Sequence, residues 1–348
     1  MIRQLWRLTY ALSLDEVSMC APAVYAERKG RAWVLERADE SGYEGVACVD
    51  DAARLAVLLL RAYKRFGLPW ARDWAHGLIE FVKFMQEDDG SFVNFILDWD
   101  GKKNYHGPTS YPGGQPWLAR GLWALAWHYI VFEDTDSLDR LRRSVELYLS
   151  QSHKFMDVNA LVAYALLELY DHTHNQDFLG IAMSICEEIA SHHNNGLLLI
   201  SDHDVYPHLW GYIQPGVLFK ACQHIANPVW LDLANYSLRS YLAPIVRSGF
   251  DKTTTIPYEV SSAVLNFQLA YEHTADEEFS ALYTKAKSWF YGDNPAKSPV
   301  YDRNLGMVYD GIDNKVVSKN SGAESNIEGA MALFDDLPWH QYKLSEIE

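Results

Sequence analysis

The sequence has few of the features that mark secreted, redox-active or nucleic-acid-binding proteins. Its 348 residues include four cysteines, which lie far apart and lack the short spacings of zinc or redox sites. It also has no run of Lys and Arg, and its 30 basic residues face 46 acidic ones for a formal net charge of −16. Because nucleic acids and anionic membranes bind concentrated positive charge, neither kind of partner is expected.

Long apolar runs are missing as well. Charged residues interrupt the N-terminal segment at Arg3, Arg7, Asp15 and Glu16. The sequence therefore predicts neither a signal peptide nor a transmembrane segment, and with free thiols this favours a cytoplasmic protein. Aromatic residues, by contrast, are abundant: the 12 Trp and 21 Tyr exceed what a core requires. Such rings stack on flat faces such as those of sugars, so a neutral ligand is favoured.

Apolar residues recur at helical spacing over most of the chain, whereas strand patterns are short. Helices are predicted at residues 49–66, 70–86, 116–131, 135–151, 157–173, 176–194, 209–225, 228–247, 258–273, 276–291 and 322–335. A short β-hairpin is predicted within residues 91–101, where Asp100 and Gly101 signal a turn.

The predicted helices form pairs, and the first member of each pair would lie in an inner layer. These inner helices start near Asp50, Pro116, Asp157, Trp210, Tyr258 and Gly322. A further helix over residues 2–19 would supply the sixth outer partner and close a ring. Six helical hairpins predict an all-α fold, an (α/α)6 toroid, and the absence of a linker predicts a single domain over residues 1–348. A helical array or two bundles are the alternatives.

Polar residues at the entrances to the inner helices are the candidate functional groups, because these entrances converge on one mouth of a toroid. Four carboxylates are the candidate catalytic residues: Asp50, Asp51, Glu259 and Glu324. The candidate substrate contacts are Arg54, His106, Tyr111, Gln115, Trp117, Asp202, Trp210, Tyr212, Tyr258 and Asn320. Paired carboxylates beside aromatic faces suit cleavage of a glycosidic bond, since one acid protonates the leaving oxygen while another attacks or activates water.

Each candidate also has a purely structural interpretation. An acid in a first helical turn can serve as a cap, which is the simplest interpretation of Asp157. Helical spacing assigns Trp123 and Trp127 to the core and leaves Trp117 as the stacking candidate. The His and Asp residues at 202–208 lack the ordered spacing of a metal site, so neither a metal nor another cofactor is predicted.

Several segments resemble a known family: VDDAAR at 49–54, WFYGDN at 289–294, VYD and VYDGI within 300–312, and NSGAES at 320–325. They resemble the (α/α)6-toroid proteins of glycan metabolism, distant relatives of the six-hairpin glycosidases that occur alone or fused behind glycosyltransferases. Ala52 and Ser321 depart from the Asn and Gln that this family often has, so polar contacts at those points would be lost. The resemblance implies an oligosaccharide or glycan substrate and a glycosyltransferase as a candidate partner, and it leaves the oligomeric state open.

The sequence therefore predicts a glycoside hydrolase-like enzyme, with Asp51 and Glu324 as the favoured acid and base and their roles unassigned. A sugar epimerase or isomerase on the same fold is one alternative, although it would use His residues where this chain has acids. A non-catalytic glycan-binding domain associated with glycan biosynthesis is the other. A terpene-type cyclase is disfavoured, because Asp50 and Asp51 lack the further aspartates that would bind magnesium and diphosphate.

Overall fold

The computed structural model describes residues 1–14, 17–30, 32–35, 44–152 and 154–342. Its helices are α1 Ile2–Leu8, α2 Val49–Phe66, α3 Pro69–Met85, α4 Gln115–Phe132, α5 Thr135–Ser150, α6 Met156–Thr173, α7 Gln176–Ser191, α8 Gln214–Ala221, α9 Pro228–Tyr236, α10 Ala243–Arg247, α11 Pro257–Thr274, α12 Glu277–Ser288 and α13 Ala323–Ala332. A π-helical turn, Ser237–Leu242, joins α9 to α10, and short 3₁₀ turns follow α12 and α13. Within these ranges, no helix combines the length and apolarity needed to span a bilayer.

The first helical hairpin shows why these residues form paired helices. Cys48 caps α2, since its sulfur accepts the Asp51 N–H. Gly67 ends α2 in the left-handed conformation at φ 65°, and its N–H donates to the Tyr63 carbonyl at 2.8 Å. Pro69 then starts α3, where a missing N–H costs nothing. Only Gly67 and Leu68 connect the two helices, so the helices must pack antiparallel.

The helices form two concentric rings. The inner helices are α2, α4, α6, α8, α11 and α13, each packed on the next, and α13 packs back on α2. The outer partners are α3, α5, α7, α9 with α10, and α12, while α1 packs against α13. This arrangement confirms the predicted all-α, (α/α)6 toroid. The assignment of residues 1–348 to a single domain stays a prediction.

The N-terminal segment differs from the predicted helix over residues 2–19, of which 15 and 16 lie outside the described residues. Helix α1 ends at Leu8, and strand β1, Thr9–Leu14, pairs antiparallel with strand β2, Val17–Pro22. Leu12 and Met19, which are opposite each other in the hairpin, are buried, whereas their neighbours Ala11, Ser13 and Ser18 are exposed, as strand geometry allows. The sixth outer position is therefore filled by a short helix and a β-hairpin.

Small strand pairs lie in the loops: β3 Ala26–Lys29 with β4 Ala32–Leu35, β5 Ala47–Cys48 with β6 Phe95–Ile96, β7 His193–Asn194 with β8 Leu197–Leu198, β10 Tyr301–Asp302 with β11 Met307–Val308, and the sheet of β13 Val316–Val317, β12 Ile312–Asp313 and β9 Thr254–Thr255. The hairpin predicted within residues 91–101 is present in part. The chain turns between Asp98 and Gly101, and Ile96 bridges to Lys103. The regular pairing of β6, however, is with β5, directly before α2.

Two helical glycines provide a test of how tightly α4 packs against the loop that carries Phe92. A Cβ on Gly121 of α4 would lie 2.5 Å from the Phe92 ring, whereas a Cβ on Gly180 of α7 would meet no atom within 4 Å. We expect Gly121→Ala to lower the free energy of unfolding by about 1–3 kcal/mol through overpacking. The control, Gly180→Ala, should raise it by up to about 1 kcal/mol through helix propensity. Equilibrium unfolding in urea followed by circular dichroism measures both, and equal effects would contradict this packing.

Candidate active site

A buried arginine, Arg54, contacts four carboxylates at the centre of the site. The residue is 1% exposed. Its Nη2 donates to Asp51 Oδ1 at 2.9 Å and to Glu324 Oε2 at 3.1 Å, and its Nη1 donates to Glu328 Oε1 at 2.8 Å. Its Nε lies 3.4 Å from Asp50 Oδ1. Because a buried cation is tolerated only when its charge is matched, Arg54 holds these carboxylates together and also depends on them.

Two neighbouring inner helices supply this cluster. Asp50 and Asp51 occupy the first turn of α2, and Arg54 follows one turn later. Glu324 and Glu328 lie four residues apart on α13, so helical geometry puts both on one face. The contacts with Arg54 show that this face is directed toward α2. The cluster therefore joins the first inner helix of the chain to the last.

Asp50 extends the cluster toward the barrel axis. Its Oδ1 lies 3.0 Å from the Nε of Arg120 on α4. Arg120 in turn donates to the hydroxyl of Tyr258 on α11. The guanidinium carbons of Arg54 and Arg120 lie 5.3 and 5.4 Å from the centre of the Tyr258 ring. A single polar network thus connects the amino-terminal halves of four inner helices.

Beside this network is a cavity of about 270 Å³, which we call the proximal cavity. Its lining includes Asp50, Arg120, Asp157, Trp210 and Tyr258. Except for Trp210, these residues lie in the first two turns of α2, α4, α6 and α11. The amino ends of the inner helices therefore meet at one mouth, as expected for hairpins that all enter the ring in the same direction.

One wall of the proximal cavity carries an aromatic pair. The Trp210 ring is stacked on the His208 ring, with centroids 3.9 Å apart, and Trp210 remains 46% exposed. His208 Nε2 lies 3.9 Å from Asp157 Oδ2, and its Nδ1 is buried without a hydrogen-bond partner among the described residues. Gly211 follows in the left-handed region at φ 70°, where a Cβ would come 3.0 Å from the Tyr258 hydroxyl. This wall therefore offers a flat apolar face beside polar groups.

Burial changes the protonation of several carboxyls in the site. Burial raises the pKa of Asp51 to about 7, although the Arg54 charge opposes the rise. Burial likewise raises the pKa of Glu324, opposed by Arg54 and reinforced by the charge of Asp50. The Glu324 side chain is nevertheless 44% exposed, so solvent still reaches this carboxyl. Burial also raises the pKa of Asp157. The site therefore contains carboxyls that retain a proton to higher pH than usual.

The structure brings some of the candidate residues into this network and its cavity: Asp50, Asp51, Arg54, Trp210, Tyr258 and Glu324. Two other candidates, Glu259 and Trp117, have structural roles elsewhere in the protein. Glu259 caps its own helix, where its carboxylate accepts the Ile256 N–H at 3.1 Å and pairs with Lys252. Trp117 is a core residue, 6% exposed, because its indole N–H donates to the Phe92 carbonyl at 2.9 Å.

The remaining candidates also lie outside the lining of the proximal cavity. Tyr212 is buried and donates to the Leu198 carbonyl at 3.1 Å, and Gln115 donates to the Ser152 carbonyl at 2.8 Å. Four more are exposed at other places: His106, Tyr111, Asp202 and Asn320. In the part of the chain that the structure describes, no three His, Cys, Asp or Glu side chains are grouped as metal ligands would be.

Four residues of the site were not among the candidates, and of these His208 was considered only as a metal ligand. Arg120 lies four residues after Pro116, and Glu328 lies four residues after Glu324, so helical periodicity carries the signal for both. Asp157 was interpreted as a helix cap, but its side chain lines the proximal cavity beside His208. A polar residue one turn inside an inner helix is therefore as informative as one at the entrance.

Solved structures share the fold of this chain, whereas no protein-family model and no curated protein matches its sequence. A sugar epimerase from a ruminal bacterium superposes with a TM-score of 0.63 at 16% identity, over 82% of this chain and 86% of that one. A cellobiose 2-epimerase from Spirochaeta thermophila gives 0.65 at 12% identity, over 83% and 87%. An α-mannanase from Bacteroides thetaiotaomicron gives 0.60 at 13% identity, over 84% and 87%. The resemblance to carbohydrate-active (α/α)6 toroids is thus confirmed at the level of fold.

The raised pKa of Asp51 predicts a specific pH dependence of stability. Its proton is bound more tightly in the folded state, so its contribution is complete below pH about 4 and is lost as the pH rises through about 7. Asp51→Asn removes this titration. The free energy of unfolding of the variant, relative to wild type, should therefore rise across this window by at most about 1.4 kcal/mol per pH unit.

Chemical denaturation at several pH values measures this difference. Asp139→Asn is the control, because Asp139 is an exposed carboxylate on the outer helix α5. A difference between Asp51→Asn and wild type that stays constant from pH 4 to 8 would show that Asp51 does not retain its proton in the folded state.

Proposed function

We propose that the protein is a glycoside hydrolase-like enzyme that cleaves a glycosidic bond of an oligosaccharide or glycan in the proximal cavity. The observation that carries the proposal is the meeting of carboxylates from α2 and α13 on one guanidinium, Arg54, beside a cavity with an exposed aromatic face. Carboxyls in different environments, placed beside a ring that can hold a sugar, are what this reaction requires. The fold is shared with an α-mannanase, which is consistent with this chemistry.

Glu324 and Asp50 are the proposed catalytic pair. Glu324 is the general acid, because burial raises its pKa while its side chain remains accessible. Asp50 lines the cavity between the guanidinium groups of Arg54 and Arg120 and acts as base or nucleophile. Asp51 was the favoured partner from the sequence, but at 4% exposure it is too buried to touch substrate. We therefore assign Asp51 a positioning role through Arg54.

Trp210 is the proposed platform for a sugar ring. Its exposed face supplies the apolar contact, while Tyr258 and Asp157 supply hydroxyl and carboxyl groups for sugar hydroxyls. His208 stacks on the rear of this platform and fixes the orientation of the indole. Sugar binding is thereby assigned to one wall of the proximal cavity, and the chemistry to the carboxylates that surround Arg54 beside it.

A sugar epimerase or isomerase is the second candidate, and one observation favours it. His208 lies next to Asp157 and has a buried ring nitrogen, Nδ1, without a hydrogen-bond partner among the described residues. A His–Asp pair can move a proton at a sugar carbon. Two of the structures that share this fold are sugar epimerases. Product mass separates the candidates, because hydrolysis adds water to the substrate whereas epimerisation leaves the mass unchanged.

The hydrolase proposal predicts that Glu324→Gln lowers kcat by about 10²–10⁴-fold, since the amide cannot protonate the leaving oxygen. Turnover of an oligosaccharide panel, followed by mass spectrometry, measures this loss. Glu133→Gln is the control, because Glu133 is 77% exposed at the far end of α4. Unchanged turnover in Glu324→Gln would remove Glu324 from the mechanism. Calorimetric binding of a glycan without any turnover by wild type would instead favour a non-catalytic glycan-binding domain.

The platform assignment predicts a different kinetic effect. Trp210→Ala should raise KM by about 3–10-fold and change kcat less, because stacking holds the ground state and the transition state alike. Tyr236→Ala is the matched control, since Tyr236 is a similarly exposed aromatic residue at the end of the outer helix α9. A loss confined to kcat would contradict a simple binding role for Trp210.

A further inference from the structure

A second cavity, of about 230 Å³, lies at the other end of the barrel, and we call it the distal cavity. Its lining includes Arg61, Lys64, Arg65, Trp127, Gln268 and Phe334. These residues come from the carboxyl-terminal parts of α2, α4 and α11 and from the turn after α13. The two cavities adjoin, since five residues line both, among them Trp123, Tyr164 and Met331. None of the four carboxylates around Arg54 lines the distal cavity, so its polar lining differs from that of the proposed active site.

The distal cavity concentrates positive charge against aromatic rings. The Arg61 guanidinium carbon lies 5.8 Å from the Trp127 ring centre and 5.4 Å from that of Phe334, and Lys64 Nζ lies 6.0 Å from Trp127. Among the described residues, Arg65 forms an ion pair, with Asp335 at 3.1 Å, whereas Arg61 and Lys64 form none. Arg61 and Lys64 are therefore able to pair with an anionic ligand, although the chain is acidic overall.

Asp335 is an acid in the cavity lining and pairs with Arg65, while Glu168 and Glu272 lie nearby and accept hydrogen bonds from neutral groups. Glu168 Oε2 accepts the indole N–H groups of Trp123 and Trp127 at 2.9 and 2.8 Å. Glu272 Oε1 accepts from Gln268 at 2.8 Å. Among the described residues, neither carboxylate lies within ion-pair distance of Arg61 or Lys64, so both cations remain available to a ligand.

Helix electrostatics explains only part of this arrangement. Cations in the last turn of a helix offset the negative end of its dipole, which accounts for Lys64 and Arg65 in the last turn of α2. Arg61 lies one turn earlier and is directed over aromatic rings inside the cavity wall. The helix dipole therefore does not explain the position of Arg61.

We propose that the distal cavity binds a phosphorylated monosaccharide. The phosphate is held by Arg61 and Lys64, since guanidinium and ammonium groups form charge-assisted hydrogen bonds with phosphate oxygens. The sugar ring packs against Trp127, and Gln268 is available to a sugar hydroxyl. This site does not depend on the proposed hydrolase activity, because it uses none of the carboxylates around Arg54.

Isothermal titration calorimetry with glucose 1-phosphate, inorganic phosphate and glucose tests this proposal. Glucose 1-phosphate should bind more tightly than either inorganic phosphate or glucose alone. Arg61→Gln should weaken its binding by about tenfold or more, as loss of a charged hydrogen bond predicts, while Arg61→Lys should retain most of it. Arg142→Gln, at an exposed pair with Asp139 on α5, is the control. Glu324→Gln should leave this binding unchanged, which distinguishes it from the proximal cavity.

Three results would overturn the proposal. The first is no binding of glucose 1-phosphate at millimolar concentration. The second is equal binding by Arg61→Gln and wild type, with circular dichroism showing that both are folded. The third is inorganic phosphate that binds as tightly as the sugar phosphate, because the ring would then contribute nothing and Trp127 would have no part in a sugar site.

Discussion

The buried charge of Arg54 is the constraint on which the toroid and its site both depend. A guanidinium removed from water is destabilising unless carboxylates match it, and leaving such a group unmatched typically costs about 3–5 kcal/mol. Asp50 and Asp51 of α2 supply part of that match, and Glu324 and Glu328 of α13 supply the rest. These helices are the first and last of the inner ring, so matching the charge of Arg54 also closes the ring.

Closing the ring in this way sets the chemistry of the site. More carboxylates than cations meet in a partly dry space, and burial then opposes their ionisation. Burial raises the pKa of Asp51 and that of Glu324, although the charge of Arg54 acts to lower both. A closure made by packed apolar side chains would leave no proton donor there. The groups that stabilise the fold are therefore the groups that could carry the reaction, which limits how freely either can be changed.

The sequence predicts the fold well because apolar spacing is a local signal. The bounds of α2 agree with the predicted 49–66, whereas the segment after Leu8 forms two strands that pair with each other, and the second of them packs against the distant helix α3. The site is less predictable, because packing decides whether a given side chain faces the core or a cavity. Trp117 and Trp123 differ by less than two turns, yet the first is held in the core by the Phe92 carbonyl and the second lines both cavities. Helical spacing puts the two rings on different faces of the helix, but it does not show which face packs in the core and which lines a cavity.

The helix dipole explains some of the charged residues at the two ends of the barrel, and the others require a functional explanation. The amino ends of the inner helices favour acids and the carboxyl ends favour cations, so one such residue at an end is expected of any stable helix. Asp157 and Lys64 fit that expectation by position. The dipole does not explain charged residues one turn further into a helix, because its effect fades within the first and last turns. Glu328 and Arg61 each lie one turn further in, buried or directed over rings. The charged residues that the helix dipole does not explain are therefore the ones that identify the two cavities as sites.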